Sequence, residues 1–472
     1  MKKFIKILII LLPPALFLSY HPVISLGSDS AMNFEFSIAE IWLLVFFLAS
    51  LPFAKKIAKF YGWKKLSLAA AIPFYFSLSV IWSTNRVRTL LTAGLFWLIV
   101  FAALNLIYWL KKDSRPGCAL AKSLIITAVV ASVFCWLQCI LDLAGISREY
   151  TLLCQGCVTA KFGFPHPNGF AIEPQFMGNL LLTPVLLCFY LIINPSISKI
   201  IKTRSHKIIL VAITIFLTAT LFLTFSRGAI YAFVVALVAE IILTIIFRRK
   251  LTQKFSVKIA IFKPIIIAVA AFGISLCAQG VFATLAPTND TFYSGIAKSI
   301  HQLSLGKIDL RPAEPATPTA AESSAQTSQF SGYVAESTDV RLNLNQIAFN
   351  AWRSQPQYIL VGTGLGGAGN AMHQAFPDEI GSKEIVQNQY ISLLLETGIV
   401  GWLIIVVIMA VTIRIVIIKN KKSAKTSAIK ALFAQPLSPL LASVILAFLL
   451  TLLFFSGLPN AIHIYLFPLS FI

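Results

Sequence analysis

The chain has 472 residues, of which 57% are hydrophobic and 12% charged, with a net charge of +21 and a mean hydropathy of +0.82. Soluble globular proteins carry about 25% charged residues, so this chain lacks the polar surface to coat a globule, which excludes a cytosolic or secreted protein. The basic excess therefore reads as a topology signal and a contact with anionic lipid, not as a nucleic-acid surface.

In chain order, apolar runs bounded by charged or turn residues fall near 4–20, 37–54, 66–82, 90–110, 123–143, 170–193, 208–225, 229–247, 264–285, 399–418, 437–455 and 459–472. Most approach or exceed the roughly 20 residues that cross a bilayer as a helix. The expected fold is an all-α polytopic membrane protein of about twelve transmembrane helices. The first run follows Lys2-Lys3 as a signal peptide would, but no small-x-small cleavage site follows Tyr20, and it reads as a span.

With the N-terminus placed in the cytoplasm, the basic clusters Lys2–Lys6, Lys55–Lys65, Lys111–Lys122, Lys199–Lys207, Arg248–Lys263 and Arg414–Lys430 all fall inside. They hold 28 of the 39 Lys and Arg, whereas only Asp113 and Glu240 of the 18 acids share that side. The Lys/Arg bias orients the chain consistently at every turn, with both termini cytoplasmic. The expected organisation is spans one to nine over 1–286, a large extracytoplasmic loop over 287–388, and spans ten to twelve over 389–472.

The cytoplasmic connections are short, and no G-x-x-x-x-G-K-[ST] phosphate loop occurs, which argues against an ATP-driven pump. Chemistry is expected in the outer loops, Ala144–Asn168 and the larger one. Within the latter, 311–338 is rich in Pro, Ala, Ser and Thr and is expected to be disordered. Residues 339–354 regain helical periodicity, with Leu344, Ile347, Ala348, Ala351 and Trp352 on one stripe, as in an amphipathic helix lying on the outer face.

Gly362-Thr-Gly-Leu-Gly-Gly367 matches G-x-G-x-x-G, but without a strand–turn–helix unit or a cytoplasmic cofactor it reads as a glycine hinge that brings main chain close to a ligand or another helix. Cys154-Gln-Gly-Cys157 is a disulfide in an oxidising compartment or two free thiols; zinc would need two further ligands. The six histidines show no metal-ligand spacing, so no metal and no cofactor are expected.

Two charges stand out. Arg227, at the outer end of the seventh run, is flanked by apolar sequence; a guanidinium that deep costs about 2–3 kcal/mol unless it pairs or meets water. It reads as a headgroup contact or as a clamp for an anion, its planar fork matching phosphate oxygens. Glu173, at the mouth of the sixth run, reads as a structural partner of Arg227 or as a proton acceptor.

Three ordered segments resemble the O-antigen ligase / O-antigen polymerase superfamily of membrane glycosyltransferases. They are His166-Pro-Asn-Gly-Phe with Glu173-Pro-Gln-Phe-Met-Gly, then Phe225-Ser-Arg-Gly-Ala, then Asp339-Val-Arg-Leu through Trp352, Val361-Gly-Thr-Gly-Leu-Gly and Val386-Gln-Asn-Gln-Tyr-Ile to Glu396-Thr-Gly-Ile-Val-Gly401. The similarity covers about 160–418. It implies a GT-C-like, metal-independent transferase that moves a glycan from a polyprenyl-diphosphate carrier to a glycan, glycolipid or protein acceptor at the outer face.

On the matching positions, the resemblance makes Arg227 and Arg341 the diphosphate clamp, with Arg353 and Arg86 as weaker alternates. Glu173, Gln387 and Asn388 are the candidate catalytic residues. Ligases of this superfamily usually carry His just before the Asn that enters the late span; here Gln387 stands there, and an amide cannot accept a proton near neutral pH. The departure favours polymerase over ligase. A glycolipid flippase or transporter is the main rival, and a non-catalytic assembly factor the second.

Overall fold

The structure is a computed structural model describing residues 2–18, 23–25, 33–35, 37–112, 115–146, 165–171, 173–193, 204–250, 257–286, 290–310, 339–381, 384–420 and 439–454. The expectations for 311–338, for Cys154 and Cys157, and for a span at 459–472 lie outside these residues.

The helices are α1 (Lys2–Phe17), α2 (Ile38–Ser50), α3 (Ala54–Tyr61), α4 (Trp63–Leu78), α5 (Arg86–Lys112), α6 (Arg115–Leu143), α7 (Pro174–Ile193), α8 (Arg204–Leu223), α9 (Arg227–Lys250), α10 (Val257–Leu285), α11 (Phe292–Leu303), α12 (339–353), α13 (Pro356–Val361), α14 (Ala368–Ala375), α15 (Gln389–Asn420) and α16 (Pro439–Thr451). Among the described residues nine spans are long and apolar enough to cross a membrane, with α2 and α3 joined through a 3-10 turn as one of them. α1 and α16, at 16 and 13 residues, are shorter than the apolar runs that mark them in the sequence. The expected count of twelve is therefore not reached among the described residues.

Among the described residues the regular structure is helical apart from one short sheet. Val23–Ser25 and Asn33–Glu35 form a two-stranded antiparallel ladder in which Ile24 pairs with Phe34. A three-residue pairing leaves no periodicity to read, because it satisfies main-chain groups rather than burying a face.

The chain divides into two compact units, Met1–Leu124 with Asn343–Ile472, and Ile125–Leu342. In the first, Ser37 caps α2 in a reciprocal box with Glu40: the Ser37 hydroxyl accepts the Glu40 N–H, and the Glu40 carboxylate accepts that of Ser37 at 2.7 Å. Trp42 on α2 donates to the Leu8 carbonyl of α1 at 2.9 Å, and Tyr61 donates to Leu104 of α5 at 2.7 Å. Asn85 caps α5 by accepting the Arg88 N–H.

Among its described residues, the segment expected as one loop between late spans holds four helices, α11 to α14. The stripe on α12 does not face lipid. Leu344, Ile347, Ala348 and Ala351 are buried against Ala368 and Met372 of α14, Ile380, Val386, and Leu395 of α15.

In the second unit α7 is enclosed on nearly all sides. Trp136 on α6 donates to the Thr220 hydroxyl of α8 at 2.9 Å, and Cys139, Leu223 and Phe282 join α6, α8 and α10 in one apolar cluster. α11 folds back on α10. A Cβ on Gly295 would come within 2.6 Å of Ala283, and one on Gly280 within 2.6 Å of the Phe292 ring, so both glycines permit backbone contact.

Candidate functional site

The polar residues that the sequence singles out in the second unit lie at the ends of α7 and α9. The loop 165–171 is fixed first. Gln138 of α6, fully buried, accepts the Gly169 N–H at 2.8 Å and donates to the Gly169 carbonyl and the Asn168 side chain, both at 3.1 Å. Asn168 in turn donates to the Ala171 carbonyl at 2.6 Å, and Phe170 stacks on Phe134 with centroids 4.4 Å apart. A single amide in α6 thus pins the His-Pro-Asn-Gly turn.

That turn places His166 against the segment leading into α9. Its ring lies 5.7 Å from that of Phe225, beside the main chain of Thr224. Burial drives the imidazole down to about 4, with the Arg227 charge pushing the same way and the nearby Thr224 main chain opposing. His166 is therefore neutral at pH 7.

Arg227 is the first residue of α9 rather than the last of the preceding span, so it stands where a helix N-terminus already favours an anion. The turn before it is strained: Phe225 is buried with φ of 49°, a region non-glycine residues seldom enter. α7 packs directly on this corner. A Cβ on Gly178 would fall 2.7 Å from that of Ser226 and 3.1 Å from that of Ala229, so only a bare backbone allows the approach.

One turn before Gly178, Gln175 accepts a bond from the Arg341 guanidinium at 3.3 Å. Crowding by protein raises the Glu173 carboxyl above the usual carboxylate range, and the Arg341 charge draws it back down. The residue as a whole is exposed, so water screens both influences. The second unit thus gathers His166, Glu173, Gln175 and Arg341 around the α7–α9 corner that carries Arg227. Sequence reasoning missed His166 and Gln175 as site residues; the available signal was their place within the segments around the sixth span.

Arg353, Gln387 and Asn388 belong to the first unit. Arg353 is exposed, 5.7 Å above the Phe349 ring. Asn388 caps α15, its side-chain oxygen accepting the N–H groups of Tyr390 at 2.9 Å and Ile391 at 3.3 Å. Gln387 is half-buried beside the buried Val386. Arg86 is exposed, whereas its neighbour Arg88 is half-buried. His373 bonds through Nδ1 to the Ile380 carbonyl oxygen at 2.6 Å. Among the described residues no three His, Cys, Asp or Glu come together in a metal-binding group.

A groove of about 790 Å³ runs beside the corner. It is lined along α9 from Arg227 to Ile245, roughly 27 Å at 1.5 Å per residue, and along α10 from Ile261 to Phe272. Its walls are apolar apart from Arg227 and Tyr231, and the Tyr231 hydroxyl donates to the Leu303 carbonyl at the end of α11.

The nine apolar spans among the described residues define a multi-pass helical membrane protein. Residues 212–406 match the family model described as O-antigen ligase, which supports placement in the O-antigen ligase / O-antigen polymerase superfamily and, in general, a glycosyltransferase. The matched stretch includes Arg227, Arg341, Arg353, Gln387 and Asn388; His166 and Glu173 precede it. No curated protein matches the chain.

Proposed function

We propose that the protein transfers a glycan from a polyprenyl-diphosphate carrier to an acceptor at the extracytoplasmic face, as a surface-polysaccharide polymerase or ligase. The observation that carries this reading is the Arg227 corner: a guanidinium at a helix N-terminus, opening onto an apolar groove about one span long. A lipid-linked diphosphate has the matching parts, an anionic head and a long apolar tail.

In the proposed reaction an acceptor hydroxyl oxygen attacks the anomeric carbon, and the bond from that carbon to the carrier's phosphate oxygen breaks. The diphosphate leaves with the electron pair. Arg227 and Arg341 stabilise its developing charge. Glu173 takes the hydroxyl proton, while Gln387 cannot serve as that base.

The test is binding of polyprenyl diphosphate to purified wild type, Arg227→Ala and Arg341→Ala. Wild type should bind it in preference to a polyprenol of equal length, and both variants should lose that preference. Equal preference in all three proteins contradicts the site. A transport reading would rest on Glu240, fully buried within α9 and close enough to Cys188 of α7 for its charge to be felt there. Passage of intact labelled glycolipid across proteoliposomes without covalent change would favour that reading.

A further inference from the structure

The proposed transfer leaves unused a basic corner of the first unit, where α3 turns into α4 beside the end of α5. Between residues 41 and 112 the sequence has seven lysines and no Asp or Glu, and all seven fall within 55–65 and 111–112.

The frame of this corner is aromatic and closely packed. Gly62, with φ of 71°, ends α3 by donating its N–H to the Ala58 carbonyl at 2.9 Å and turns the chain into α4. Tyr61 is already tied to Leu104 of α5, and the Phe60 ring meets that of Tyr108 edge-on at 5.3 Å. Trp109 packs edge-on against Tyr108 at 5.4 Å and Phe53 at 5.2 Å. On the α5 side, Lys112 Nζ lies 5.5 Å over the Tyr108 ring and donates to its hydroxyl at 3.3 Å.

What this frame presents outward is positive and apolar together. The ammonium groups of Lys55, Lys56, Lys59 and Lys64 are exposed and make no ion pair or hydrogen bond among the described residues. Trp63, between Lys59 and Lys64, is 86% exposed, and Phe60 is 46% exposed. The buried Trp109 Nε1 also finds no acceptor among the described residues. A free inorganic anion would meet the lysines and leave the indole in water. An anionic lipid uses both: its phosphate meets the ammonium groups, while indole and phenyl rings enter the boundary between headgroup and chains. The overall basic excess predicts a diffuse contact with anionic lipid, whereas this corner is built as a discrete one.

We propose that the α3–α4 corner is a binding site for an anionic phospholipid, with Lys55, Lys56, Lys59 and Lys64 on the headgroup phosphate and Trp63 and Phe60 beside the chains. The site does not depend on the transferase reading. The test is fluorescence quenching in phosphatidylcholine vesicles holding a small, equal fraction of brominated phosphatidylglycerol or brominated phosphatidylcholine. It compares wild type, the triple variant Lys55→Gln, Lys56→Gln, Lys59→Gln, and a control carrying Lys258→Gln and Lys263→Gln, an exposed basic pair on α10. Each is measured with and without Trp63→Phe, so that quenching of Trp63 is obtained by difference.

In wild type the brominated phosphatidylglycerol should quench Trp63 at least about twofold more than the brominated phosphatidylcholine. That preference should vanish in the triple variant and persist in the Lys258 and Lys263 control. Equal quenching by both lipids in wild type, or an unchanged preference in the triple variant, overturns the site. Equal loss in the control marks a diffuse charge attraction and overturns it as well. If the triple variant does not reconstitute, Lys59→Gln alone decides, with a reduced preference expected and an unchanged one contradicting the site.

Discussion

At the scale of single residues, the account turns on which charges protein has gathered and which it has left in solvent. Arg227 was expected from the sequence because a guanidinium beside an apolar run is costly, and Arg341 from the family resemblance; as a diphosphate clamp both belong to the proposed function. Their neighbours Gln175 and His166 were not singled out, because Gln175 carries no charge and His166 has no metal-like spacing; only the packing around α7 and α9 places them there. Removing the Arg227 fork should cost about 10²–10³ in kcat, and Arg227→Lys should restore only part, since a point charge cannot grip two oxygens; initial rates of glycan transfer check this. His166 supplies a pH prediction. Its folded value, about 4, lies below its ordinary 6.5, so the unfolded chain takes up the proton first. Stability is full above about pH 6.5 and declines as pH falls towards 4, by up to about 3 kcal/mol. Thermal unfolding of His166→Asn in detergent should lack this slope.

At the scale of elements, hydropathy located the long spans, but their ends shifted by several residues because capping and packing, rather than apolarity, terminate a helix. The run read as 399–418 is in fact Gln389–Asn420, since its first turns are buried by protein and need not be uniformly apolar. The helices within 287–388 were mostly hidden. Phe292–Leu303 is too short and mixed in character to signal itself, and is held by α10 through two glycines. The hinge reading of Gly362–Gly367 was correct about backbone proximity, but Ser83 and Glu396 are far away in sequence and no spacing announces them. Gly364, at φ of 85°, would place a Cβ 2.4 Å from Ser83, so Gly364→Ala should destabilise by about 1–3 kcal/mol in thermal unfolding. Gln138→Ala strands the polar groups of Asn168 and Gly169 and should cost about 1–3 kcal/mol with loss of transfer activity. In the groove, Val238→Trp should raise KM for a long-chain donor and leave that for a truncated-chain analogue unchanged; an equal rise for both would place the tail elsewhere.

At the scale of the whole molecule, composition alone established the membrane class, because 12% charged residues cannot cover a globule of this length. The asymmetric Lys and Arg pattern predicts an orientation, and under the proposed function the Arg227 corner would lie outside the cytoplasm. The division into two units was not legible, since the second is inserted between Leu124 and Asn343 within continuous helices. It sorts the expected residues into Glu173, Arg227 and Arg341 in the second unit and Arg353, Gln387 and Asn388 in the first. The central claim is covalent transfer supported by the Arg227 corner. Its most direct measurement is mass analysis of products after purified protein in liposomes meets a labelled polyprenyl-diphosphate oligosaccharide and an acceptor. Glycan joined to acceptor, one free polyprenyl diphosphate released per bond formed, and neither product with Arg227→Ala, is the outcome predicted here. Intact donor after incubation with wild type, or equal product from Arg227→Ala, would contradict it.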